Sequence, residues 1–171
     1  GALALLGGIT LGINKMLLDK TETMLETEAG LSSIALGQSM IDEIMVNAFD
    51  QAVVGGAKLF NPSAMTGVGS LGREGSEGSQ VSIPEAPDTA NAYRSFKYYN
   101  DIDDYNLYKR YAITSMGTFT IVDSVYYVLE TAPDVKSNTP TFCKKVVVTV
   151  THPNMKYPLT LSDISVYRRY F

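Results

Sequence analysis

The sequence predicts an α+β fold in which a long N-terminal helix, about residues 1–54, packs its second half on a C-terminal antiparallel sheet. Three observations predict it. Residues 1–14 of GALALLGGITLGINKMLLDK carry no charged side chain. Apolar residues then recur in three- and four-residue steps from Leu31 onward, the helical period. The last third alternates β-branched and aromatic residues between turn formers, the period and composition of strands.

On the helix, Leu31, Ile34, Ile41, Met45, Ala48 and Ala52 form one stripe on which Gln38 is polar, while Asp19, Glu22, Glu26, Glu28, Asp42, Glu43 and Asp50 fall mostly off it. Pro62 is the first proline, and Gly55-Gly56 reads as a C-terminal stop. A helix of about 54 residues is about 80 Å long, more than a domain of this size can cover. Residues 1–30 are therefore expected to project as an apolar half-helix. Residues 31–171 should form the globular domain, with Leu31, Ile34, Ile41, Met45 and Ala48 packing helix on sheet. A membrane span needs about 20 apolar residues. The run before Lys15 reaches that length only if Lys15 snorkels and Met16, Leu17 and Leu18 are counted. The segment is thus either a membrane anchor or a surface that other protein chains bury.

Residues 55–116 read as a long connection. The stretch SLGREGSEGSQ is nearly devoid of apolar side chains and cannot repay its own ordering. Its glycines do not make a phosphate loop, because no Lys-Ser/Thr follows and Glu74 and Glu77 would repel a phosphate. The sheet is expected within 117–171. Strands are read over 117–130, 143–152 and 159–171, with APDVKSNTPT and HPNMKYP as turns between them.

A net charge of −4 and a pI near 4.9 leave no basic stripe, which argues against nucleic acid as a partner. The single cysteine, Cys143, excludes an intrachain disulfide and reads as a buried or half-buried thiol. His152, the only histidine, stands beside Pro153 with no cysteine at metal-ligand spacing and reads as a surface residue. No Gly-x-Ser-x-Gly elbow and no acidic pair in an apolar setting stand out, so the chain is not expected to be an enzyme. The one cofactor expectation is Ca²⁺. Asp101, Asp103, Asp104 and Asn106 in NDIDDYNLYKR gather oxygens of the kind a hard cation takes six to eight of, although the EF-hand spacing is missing. The same acids also suit turn formation beside Tyr105 and Tyr108.

This order of parts, an apolar N-terminus fused to a helix of about 53 residues, a variable connection and an antiparallel sheet, resembles the type IV pilins and the pseudopilins of type II secretion. The Asp-rich segment NDIDDYNLYKR adds to the likeness. The resemblance implies cleavage by a prepilin peptidase and handling by inner-membrane assembly machinery. It also implies a homo-oligomeric helical filament at the cell surface, with Leu3, Leu5, Leu6, Ile9, Leu11, Ile13 and Leu17 as its assembly core. A structural filament subunit is the leading expectation. A secretion pseudopilin and a membrane-anchored monomeric β domain are the alternatives. Many pilins begin with a methylated Phe and have Glu at the fifth mature position, where this chain has Gly1 and Leu5. Either its subunits register differently, or the sequence starts a few residues from the natural N-terminus. Physical chemistry also favours assembly: each of these Leu and Ile side chains gains about 1.5–3 kcal/mol when removed from water. A repeated contact that does not close into a ring makes a filament.

Overall fold

The computed structural model describes residues 2–75, 77 and 93–168, with side chains from Lys15 onward in that set except Arg94. Helix α1 runs Ala2–Met45. It stops nine residues before the expected end at 54, because Asn47 turns its side chain back to donate to the carbonyls of Glu43 (2.9 Å) and Ile44 (3.5 Å). The chain then leaves the helical path. Ala48 pairs with Asp101 in a parallel bridge, its N–H donating to the Asn100 carbonyl (3.1 Å) and its own carbonyl accepting from Ile102 N–H (2.9 Å). Ala48 is therefore outside the helix that was expected to carry it. Gly55 and Gly56, at φ of +89° and +91°, follow the 3-10 turn Gln51–Val53 rather than α1.

The face that α1 turns to the sheet is also not the one expected. Ala29, Ser33, Gly37, Met40, Ile41 and Ile44 are buried, whereas Leu31 and Ile34 are 65% and 49% exposed. Ile41 and the half-buried Met45 belong to the packed side; Leu31 and Ile34 do not. The reason is steric at the N-terminal half of this face. Ala29, Ser33 and Gly37 are small where α1 meets the sheet, and even a Cβ at Gly37 would come within 2.9 Å of Leu161 Cδ1, so the close approach there depends on glycine.

The sheet has five antiparallel strands: β1 (Lys109–Thr114), β2 (Gly117–Leu129), β3 (Ala132–Lys136), β4 (Cys143–Thr151) and β5 (Leu159–Val166). Its order is β1-β2-β4-β5, with β3 paired to the far end of β2. The α+β architecture with a C-terminal antiparallel sheet is thus as the sequence predicts. Two strands are additions. β1 lies inside the expected connection, and β3 occupies the segment read as a turn. Alternation in β2 sends Phe119, Ile121, Asp123, Val125 and Tyr127 inward, and in β4 Lys144, Val146, Val148 and Val150.

The inward apolar residues meet α1 in one core with Ile102, Tyr105 and Tyr108. A second core holds Phe49, Met65, Leu71, Tyr127 and Phe142 beside Tyr167. Cys143 is buried, as expected. His152 is not a surface residue: it is buried, its ring stacked on Phe119 at 4.2 Å.

Candidate functional site

The inward alternation of β4 places Lys144 in phase with three valines, opposite Tyr127 on β2. A buried ammonium needs partners. Its Nζ donates to Phe49 O (2.7 Å), Asp50 Oδ2 (2.9 Å) and Asp103 Oδ1 (2.6 Å), and lies 4.7 Å and 5.0 Å from the ring centroids of Phe49 and Tyr127. Asp50 caps the 3-10 turn through Ala52 N–H and accepts from Thr66 N–H and Oγ1 (each 3.1 Å) and from Tyr127 OH (2.8 Å). Burial alone would raise its pKa, but Lys144 and these donors hold the carboxyl below its ordinary value.

Next to this saturated group is an acid cluster built from two segments. The bridge between Ala48 and Asp101 fixes residues 100–104 beside the helix end. There Asp101 Oδ1 accepts from the N–H groups of Asp103 (2.8 Å) and Asp104 (3.2 Å), and Asp104 Oδ2 from those of Asn100 (2.8 Å) and Asp101 (3.1 Å). From the post-helix connection, Glu77 accepts from Glu74 N–H (2.9 Å) and Asn100 Nδ2 (2.6 Å). Carboxylate oxygens of Glu74, Glu77 and Asp104 lie within 4.8 Å of one another, as do those of Glu74, Asp101 and Asp103. Burial, followed by Asp103 and Asp104, pushes Asp101 up to about 9. Burial and Glu77 push Asp104 and Glu74 up to about 7.

The structure thus brings together three of the four expected ligands. Asn106 is engaged elsewhere: its Nδ2 donates to Leu71 O (3.2 Å) and its Oδ1 accepts from Val125 N–H (3.2 Å), tying a loop to β2. Glu74, Glu77, Asp50 and Lys144 were not anticipated. The signal for Lys144 was a lysine in phase with Val146, Val148 and Val150. No comparable signal joins residues 74–77 to 100–104, which only the tertiary fold brings together.

A second feature is the outer side of α1. Residues 15–28 are exposed, and Leu17, Met24 and Leu31 stand seven residues apart on it, with Ile34 three further on. Leu17 is 58% exposed. Leu3, Leu5, Leu6, Ile9, Leu11 and Ile13 lie outside the residues whose side chains are described. Among the described residues no helix is long and apolar enough to cross a membrane. Compared with protein-family models, curated proteins and solved structures, the chain finds no match in any of the three.

Proposed function

We propose that this chain is a structural subunit, pilin-like in layout, that polymerises into an extracellular helical filament by bundling its N-terminal helices. The observation that supports it most is the exposed seam of Leu17, Met24, Leu31 and Ile34, on the side of α1 turned away from the sheet. An apolar row at heptad spacing is the pattern by which helices pack on one another, and among the described residues nothing of the chain covers it. A second copy supplies the same row. Small residues under the sheet leave this row free of any duty to the chain's own core.

Electron microscopy of material sheared from producing cells, with mass spectrometry of the same fraction, tests the reading. Uniform fibres dominated by this chain are expected, and Leu17→Asp or Met24→Asp should abolish them while the circular dichroism of the sheet domain is retained. Normal fibres from both variants, or the wild-type chain found only as a monomer in the membrane fraction, would overturn it.

A further inference from the structure

We infer that Glu74, Glu77, Asp101, Asp103 and Asp104 form a Ca²⁺ site that staples the post-helix connection to the segment ahead of β1. The cluster alone would not carry this; its unpaired oxygens do. Asp101, Asp103 and Asp104 are each fully buried, and each uses one carboxylate oxygen within the protein and leaves the other without a partner: Oδ2, Oδ2 and Oδ1 in turn. Glu74 Oε2 and the amide oxygen of Asn100 are likewise unpaired, and the Asn100 amide nitrogen is already held by Glu77. Buried acceptors in folded proteins are normally satisfied, and five such oxygens on residues of one neighbourhood call for a shared donor of positive charge.

Among the described residues Lys144 is the cation in ion-pair contact with this cluster, through Asp103, and Asp50 takes another of its bonds. That one ammonium reaches none of the unpaired oxygens of Asp101, Asp104 and Glu74. Every donor is oxygen, which selects a hard cation over zinc or copper. Carboxylates drawn from two loops, three of them on fully buried aspartates, suit the larger and less strictly octahedral Ca²⁺ better than Mg²⁺, which keeps several waters. This site is independent of the filament reading, and either can fail without the other.

The test uses the full chain, freed of metal with chelator and titrated with Ca²⁺ by calorimetry, with thermal unfolding in parallel. Saturable binding and a higher Tm in Ca²⁺ are expected. Glu74→Gln and Asp104→Asn should each weaken binding at least tenfold, while Glu26→Gln, on the exposed helix, leaves it unchanged. Should a cluster variant fail to fold, Tb³⁺ on the wild-type chain gives a second readout: tyrosine-sensitised luminescence that Ca²⁺ displaces. No saturable heat at millimolar Ca²⁺, equal affinity in both cluster variants, or Tb³⁺ luminescence indifferent to Ca²⁺ would each overturn the assignment.

Discussion

Asp50 and Asp123 are both fully buried aspartates on the inner side of the same sheet, and their surroundings are opposite. Asp50 meets an ammonium, a phenol, a hydroxyl and two backbone N–H groups. Asp123, on β2 between Ile121 and Val125, leaves both carboxylate oxygens unpaired, with Arg110 near enough to attract it and Glu43 to repel it. Burial pushes Asp123 well above the ordinary carboxyl range, whereas Asp50 is held below it. The contrast teaches that depth does not decide whether an acid is charged; the number of donors around it does. Arg110 is already committed, bonded to Glu43 at 2.7 Å, while Ser95 and Tyr105 donate to the same Glu43 carboxylate.

The harshest way to break the comparison is Lys144→Met, which strips Asp50 and Asp103 of their ammonium. A loss of about 3–5 kcal/mol is expected in urea unfolding, the cost of leaving buried charge uncompensated. Asp123→Leu should act in the other direction, gaining about 1–3 kcal/mol by removing a buried acid with no hydrogen bonds. The pH profile sharpens the same contrast. Asp123 binds its proton more tightly when folded than unfolded, so its contribution is complete below about pH 3.8 and is lost as pH rises through its elevated folded value. Asp50 contributes above its ordinary value and is lost as pH falls through its lowered one.

Thermal unfolding from pH 3 to pH 9 should therefore show Asp123→Asn with a shallower decline toward alkaline pH than the wild type; parallel curves would remove the distinction. Tyr127→Phe, which deletes one of several donors to Asp50, should cost about 1–2 kcal/mol by the same denaturant measurement. Smallest is Leu31→Ser, on the outer side of α1, expected within about 0.5 kcal/mol of wild type as a monomer.

Much of the architecture was legible in local pattern. Period-two alternation located β2, β4 and β5, and the apolar three- and four-residue steps located α1. The face of α1 was not legible, because apolar residues occur on both sides and the packed side is marked by the small residues Ala29, Ser33 and Gly37, and the need for a glycine at 37 shows only once Leu161 is set against it. The helix end was misread for a related reason. Asn47 and the bridge from Ala48 to Asp101 stop α1 through a partner more than fifty residues away, and Gly55-Gly56 offered a nearer but later stop. β1 was hidden in a segment whose inward positions include Arg110, a charge that reads as loop until Glu43 is placed beside it. Three acids of the cluster were visible as a run; the two glutamates were not, since their proximity is set by the fold.

The seating of α1 on Gly37 has a mechanical side. The packed stretch, residues 29–45, is about 25 Å long, while residues 2–28 reach about 40 Å beyond it. The short arm governs the long one. A tilt of about 10° about Gly37, about 50 Å from the start of α1, carries the far end of the rod through about 9 Å, more than one helical turn. The close approach of Gly37 to Leu161 thus acts as the pivot of a lever, and a side chain a few ångströms larger there, as in Gly37→Leu, would re-aim the whole N-terminal arm.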